Sequence, residues 1–401
     1  MLDRGTAERR PRRMRHLRRA AVGLVLSLLV TGCTTMTGGQ ATMSPPPPPE
    51  RWRIDYATDT ADATLFDVAA VAKDEGCAIG QVSTEFVLLH RHGGSWQQAP
   101  MPIPHSQDAG LFNIHLSGSA PDNVWLFAGT TPGDSEVPTA RRWDGHQWLV
   151  IPVDFTVSDL AVVAPNDVWA LDAGLVDGQY DVRHWDGHSW TPYVLPIWAK
   201  ALSASGPHDV WVVGSHDDPS GSTQSQPAVA HLDGRTWQTV PAPEDRFPTP
   251  EPHEQSELTR VVAISPNNAW AFGDHGYTSD GDQSTSHDTV TVLHWDGLAW
   301  RKSSTPKFTV DIQPFPEMAA TGDGAGGFVL GGYQHGAANG ALRVIGYPAP
   351  PPATAHAQSP TGQFEVGDLQ LVPGTREVWA AGYQGSGTSG RGIVASCVLN
   401  G

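Results

Sequence analysis

The chain has 401 residues, among them 43 Gly, 34 Pro and 15 Trp, and only 17% of it is charged. Gly and Pro make up roughly a fifth of the chain, above the usual ~12% but short of a collagenous or fully disordered composition. Apolar residues, at 39%, suffice for a core at this length. The formal charge is −17: residues 1–32 hold eight Arg against Asp3 and Glu8, and the remainder carries 17 basic and 40 acidic residues. An acidic body with four Lys is a poor match for phosphate backbones, so nucleic acid is not expected as a partner.

The first element in chain order is an address. Residues 10–19 read R-P-R-R-M-R-H-L-R-R, and an eleven-residue apolar run, Ala20–Val30, follows. That run is too short to span a bilayer, which needs about 20 apolar residues, but it suits the core of a signal peptide. It leads into Leu29-Val30-Thr31-Gly32-Cys33, which resembles the lipobox of bacterial lipoproteins. The resemblance implies that residues 1–32 are removed and that Cys33 is lipidated as the mature N-terminus. An ordinary secretory signal with an incidental Cys is the alternative, and Arg18-Arg19 leaves a twin-arginine export route open. Residues 33–49 end in five prolines, Pro45–Pro49, a polyproline stalk that would hold the body off a membrane surface.

Residues 50–401 are a repeat. Each unit has an apolar segment, a tight turn, an apolar strand containing Trp, a variable loop, then H-W-D-G-x-x-W and a proline. The second-strand signature appears as Asn123-Val124-Trp125, Asp167-Val168-Trp169, Asp209-Val210-Trp211, Asn268-Ala269-Trp270 and Glu377-Val378-Trp379. Cys77 and Phe328 hold the Trp position in two degenerate copies, which makes seven units spaced by 42 to 59 residues. The hairpin signature follows as Gly94-Ser95-Trp96, Trp143–Trp148, Trp185–Trp190, Leu232–Trp237 and Trp295–Trp300. Asp-Gly between β-rich runs predicts a tight hairpin, because Gly accepts the positive φ of the turn. The Asp is expected to cap that turn's backbone. Four short strands per unit at this period mean the blades of a β-propeller.

The ends support the count. The seventh unit stops at Val398-Leu399-Asn400-Gly401, and its missing outer strand matches Glu50–Tyr56 at the other end of the body. The fold expected is therefore all-β: a seven-bladed propeller of four-stranded antiparallel blades, its N-terminal strand completing the last blade. The pattern resembles kelch-like and WD-repeat-like propellers, in particular the W-D-G-x-x-W / D-V-W-A-V-G type of secreted proteins of high-GC bacteria. The closure resembles the "Velcro" of known propellers. Such a resemblance implies a fold and hardly an activity.

Little chemistry is written in the repeat. Asp-Gly-x-x-Trp differs in spacing from the sialidase Asp box, and the few scattered basic residues argue against an Arg cluster. His253-Glu254-Gln255-Ser256-Glu257 comes near the H-E-x-x-H zinc motif but ends in Glu, in a proline-broken segment where a solvated loop is expected. Asp280-Gly281-Asp282 faintly resembles a calcium loop but lacks the alternating ligands of an EF-hand, so no cofactor is implied. Cys77 and Cys397 fall on blades that ring closure makes neighbours, and a disulfide between them is expected as often as two buried thiols.

Function is better sought in what varies. Turns on one face of the propeller are uniformly tight, whereas Thr130–Pro138, His216–Pro227, Pro243–Glu257, Asp274–Asp288 and Lys307–Pro316 read as long irregular loops on the other. Ten residues before each blade Trp, at that face, stand Asp67, His115, Asp159, Ala201, Arg260 and Met318, with Asp368 matching in the seventh unit after a one-residue shift. The next residue is apolar each time, so period-two alternation points the first set into the channel. Asp67, His115, Asp159, Arg260 and Asp368 are therefore candidates for the floor of a binding dish, with the segments around His216 and 274–288 as its rim. Asp67 and Asp368, on adjacent blades, could share a cation. The reading is a monomeric, lipid-anchored module on the extracytoplasmic face of the cell membrane, binding an envelope protein or glycan. The alternatives are a secreted propeller enzyme acting on carbohydrate or cell-wall material, and a ligand-free structural envelope protein.

Overall fold

The computed structural model describes residues 52–103, 111–130, 137–175, 178–249, 251–278, 286–303, 319–336, 340, 342–346, 364–386 and 389–400. The chain divides into two units, Met1–Pro47 and Pro48–Gly401, and all described residues belong to the second. The signal segment, Cys33 and the proline stalk lie outside the described residues.

The second unit is a propeller of seven four-stranded antiparallel sheets. In sequence order the innermost strands are Ala63–Ala72, Leu111–Ala120, Val157–Ala164, Trp198–Gly206, Gln255–Ser265, Ala320–Gly322 and Phe364–Leu371. The seventh sheet is closed by Arg53–Ala57, which pairs with Ser389–Val398 in the register Arg53↔Ser396 to Ala57↔Ile393. The closure expected from the two ends is the one observed.

The core lies between sheets, as seven apolar clusters, one at each blade-to-blade contact. The repeated residues explain it locally. Asp144, Asp186, Asp233 and Asp296 each accept two backbone N–H groups across their own turns, at 2.8 to 3.3 Å. The following glycines adopt positive φ, +97° at Gly187, which favours a residue without Cβ. The Asp of the D-V-W signature acts elsewhere, at the blade indole. Asp209 Oδ1 accepts from Trp211 Nε1 (3.1 Å) and meets His231 Nε2 (2.6 Å), while His231 stacks on the indole at 3.8 Å. Asp167, Trp169 and His184 repeat the arrangement.

Two expectations are corrected here. Cys77 and Cys397 are buried thiols and form no disulfide. Their blades are neighbours, but Cys77 packs toward blade two beside Leu116 and Val124, and Cys397 toward blade six beside Ala319 and Val329. The two thiols face away from the contact that their blades share, whose cluster contains neither. Burial pushes the Cys77 thiol up to about 12. The described parts of the segments 216–227 and 274–288 are also less irregular than expected. The middle hairpins of blades four and five stay paired as far as Asp217↔Ser225 and Thr278↔Ser286, because β-favouring residues carry the ladder outward.

Candidate functional site

Each innermost strand runs from the face of the blade connections toward a tight turn, and near its start six of the seven slip register. The slips fall at Leu65/Asp67, Phe112/His115, Val157/Asp159, Ala199/Ala201, Leu258/Arg260 and Val366/Asp368. Extra residues in one strand form a β-bulge, which bends the strand and re-aims the side chains around it. The bulge lets apolar residues three apart face the same way: Leu65 with Val68, Val157 with Leu160, Ala199 with Leu202. The residues between them are left on the inner edge of the sheet, where no further strand covers them. Gly367 at the bulge of blade seven is required by close approach, since a Cβ there would lie 2.9 Å from Phe66 Cα and 3.0 Å from its carbonyl oxygen.

The bulges together line a cavity of about 570 Å³ at the channel end away from the tight turns. Asp67, His115, Asp159, Arg260 and Asp368 all border it, from blades one, two, three, five and seven. Ala201 borders it as well, and Met318 lies outside the described residues. Sequence reasoning misses Lys200, Glu257, Asn113 and Gln370, which line the same space. A second cavity of about 500 Å³ extends toward the tight turns, bordered largely by small and apolar residues such as Ser203, Gly206 and Gly322, and Asp159, Arg260 and Gln370 border it as well.

The candidates also take partners within the protein. Asp67 Oδ2 accepts the Leu116 N–H of blade two at 2.8 Å. Asp159 Oδ2 accepts the Leu202 N–H of blade four at 2.8 Å, and its Oδ1 accepts the Leu160 N–H at 2.9 Å. Both carboxylates thus clip a blade to the next while bordering the cavity. Arg260 Nη2 donates to Asp368 Oδ1 (3.2 Å), Gln370 Nε2 to Asp368 Oδ2 (3.3 Å), and Lys200 Nζ meets Glu257 Oε2 at 3.4 Å.

Asp67 and Asp368 hydrogen-bond to each other. Burial pushes Asp67 well above the usual carboxylate range, and the neighbouring Asp368 charge adds to it; the Leu116 N–H and Arg260 oppose the rise. Asp368 is raised as well, by burial, with Arg260 the strongest opposition. Both shifts favour the protonated form, so burial and mutual repulsion oppose ionising the two carboxyls together. Among the described residues no group of three or more His, Cys, Asp or Glu is arranged to hold a metal ion. Asp280-Gly281-Asp282 lies outside the described residues.

The raised Asp67 carboxyl has a measurable sign. A carboxyl whose folded-state pKa is raised contributes fully to stability below its unfolded value, about 3.9, and loses that contribution as pH rises through the folded value. Asp67→Asn imitates the protonated form at every pH. Urea unfolding should find it close to the parent at about pH 4 and more stable than the parent at about pH 7. A parent that holds or widens its lead toward neutral pH would show an ionised pair instead.

The rim differs from expectation. His216 is half-buried on the second strand of blade four, and its Nδ1 lies 2.6 Å from the Asp217 carbonyl oxygen. Asp274 is buried on the second strand of blade five. Glu254, expected in a solvated loop, is 2% exposed: it accepts from the Phe247 N–H (2.8 Å) and meets His275 Nε2 at 2.9 Å. Asp245 flanks the other ring nitrogen at 3.2 Å, and Phe247 stacks on the imidazole at 4.0 Å. Burial pulls His275 down, but its hydrogen bonds to Asp245 and Glu254 outweigh this and raise it. The 243–257 segment is thereby fastened to blade five by an ion-pair network that joins groups some twenty to thirty residues apart.

The architecture defines a seven-bladed β-propeller. The polysaccharide lyase Uly1 is similar in structure, with a TM-score of 0.51 at 11% identity over 87% of this chain and 100% of that one. The GH74 xyloglucanase from Xanthomonas campestris has a TM-score of 0.49 at 13% identity, covering 86% of this chain and 55% of its own. This chain thus spans just over half the length of that enzyme, and at such identities the likeness is one of fold alone. No protein-family model matches the sequence, and a comparison with curated proteins finds no match.

Proposed function

We propose that this chain is a lipid-anchored binding module of the extracytoplasmic membrane face that holds a polar, uncharged segment of an envelope glycan or protein in the mouth of its propeller. One observation carries the reading. Side chains from five blades, separated by as much as 301 residues between Asp67 and Asp368, border a single cavity away from the tight turns. Rigid strands, rather than mobile loops, supply them, which favours a preorganised site. The polysaccharide lyase that shares the architecture makes glycans the natural first ligands to test. The anchor rests on Gly32-Cys33 after a short apolar run.

Two measurements test the proposal. Cys33→Ala, expressed in a bacterial host, should leave the membrane fraction or stay unprocessed; processing and retention equal to the parent would remove the anchor. The purified full chain should retain an envelope glycan or protein, and Arg260→Gln should weaken that retention several-fold while thermal unfolding stays cooperative. Failure to retain any envelope component would favour the ligand-free structural reading. An enzymatic reading has one feature in its favour: two buried carboxyls, Asp67 and Asp368, border the cavity, and burial raises Asp67 in the direction a general acid needs. Cleavage of a retained polymer, abolished in Asp67→Asn, would establish it.

A further inference from the structure

Of the fifteen tryptophans, Trp198 is the one outside the repeat, and it behaves differently from the others. The repeat indoles pack against other rings, as Trp125 does on Trp185 and Trp190, and Trp211 on Trp295 and Trp300. Trp198 is 45% exposed. It begins the innermost strand of blade four, outward of the bulge at Ala199/Ala201, and its backbone pairs with Ser215. Lys200 and Ala201, two and three positions further along that strand, border the 570 Å³ cavity. The indole is therefore exposed beside residues that line the cavity without belonging to a blade contact, and those contacts have aromatic residues of their own.

The charge arrangement narrows what the ring can hold. Lys200 is matched by Glu257 and Arg260 by Asp368, so the cavity has no uncommitted cation among these for a ligand carboxylate. Asp67 and Asp159 each spend a carboxylate oxygen on a backbone N–H of a neighbouring blade. What remains are polar groups suited to hydroxyls, beside an aromatic face suited to the C–H edge of a pyranose ring.

We propose that Trp198 is the stacking platform of a site for a neutral glycan, one sugar lying on the indole and its neighbours reaching into the cavity beside Lys200 and Arg260. This rests on the binding reading above and deepens it by naming the ligand class and the residue that selects it. Uronic-acid polymers are disfavoured because the net acidic mouth repels them and both cations are committed.

Affinity electrophoresis of the full chain in native gels tests the proposal, with hydroxyethyl cellulose or xylan as neutral probes and polygalacturonate as the acidic one. Salt sufficient to screen non-specific attraction is included. A neutral probe should retard the parent, Trp198→Ala should weaken that retardation about tenfold, and Trp198→Phe should restore most of it. Leu298→Ala, an exposed apolar residue in the Asp296-Gly297 turn of blade five, serves as the control and should migrate like the parent. Thermal unfolding should be unchanged in all three variants, since the Trp198 ring is not part of the core clusters. Retardation by polygalacturonate equal to or greater than that by the neutral probes would overturn the ligand class and leave the binding reading standing. Neutral retardation unaffected by Trp198→Ala would overturn the platform alone. Retardation by none of the probes overturns this proposal, while retention of an envelope protein in the earlier assay would still uphold the binding reading.

Discussion

Truncating Asp55 to alanine should destabilise the propeller by about 3–5 kcal/mol, the cost of leaving a buried charge without its partner. Asp55 lies on the N-terminal strand that completes blade seven, and its Oδ2 accepts from Arg91 Nη1 of blade one at 3.1 Å. Both side chains are buried, at 8% and 5% exposure. The Arg91 guanidinium also lies 4.6 Å from the Trp379 ring centre and 5.7 Å from that of Trp96, so it is wedged between blades seven and one. The pair therefore stands at the seam where the ring closes. Removing the cation too should recover much of the loss: Arg91→Met in the Asp55→Ala background replaces an orphaned charge with an apolar side chain of similar length. Urea unfolding of the parent, both single variants and the double variant measures this. A double variant no more stable than Asp55→Ala would show that the cation itself, through the two indoles, is what holds the seam.

That seam is legible in part from the residues alone. The match of Asn400-Gly401 with Glu50-Arg51-Trp52 places the N-terminal strand in the last blade, because a repeat cut at both ends must be completed across them. The Asp55–Arg91 pair is not legible, since both residues lie on variable positions and nothing local links them. The same division runs through the site. Counting back from the blade tryptophans finds the five side chains at the mouth because the distance from the strand start to the tight turn is nearly constant. It treats the innermost strands as regular, however, and so misses the bulges and the protein partners that these side chains take.

The signal of the bulge is nevertheless present. Leu65-Phe66-Asp67-Val68, Val157-Ser158-Asp159-Leu160 and Leu258-Thr259-Arg260-Val261 place apolar residues three apart, where a regular strand with one buried face would place them two or four apart. That broken alternation, repeated in successive units, marks an extra residue and identifies Lys200 and Thr259 as edge residues alongside the candidates. The disulfide expectation fails for a related reason. Ring closure makes blades one and seven neighbours, but a strand position also chooses one of two faces, and both cysteines take the face turned away. Glu254 and His275 cannot be joined from sequence at all, because their contact depends on how far the blade-five hairpin stays paired.

The second large effect concerns the inter-blade indoles. Trp211→Ala should cost about 3–5 kcal/mol, the range for emptying a buried aromatic site. Its side chain is fully buried, stacks on His231 at 3.8 Å and meets Trp295 and Trp300 of blade five at 5.1 and 5.2 Å. The loss is more than area. Without the indole N–H, Asp209 keeps His231 and Ser205 as partners, but the imidazole loses the surface it lies on. Trp211→Phe separates the two contributions: it keeps much of the apolar contact, discards the hydrogen bond to Asp209, and should recover more than half of the stability. The Trp211 ring contacts lie within blade four and against blade five, whereas the Asp55–Arg91 pair joins blades seven and one, so the two sites share no partner. The costs of Trp211→Ala and Asp55→Ala should then add to within about 0.5 kcal/mol in the combined variant. A combined cost well below the sum would mean that opening the ring at one seam has already released the other contacts, so that closure, rather than the packing of each pair of blades, sets the stability of the whole propeller.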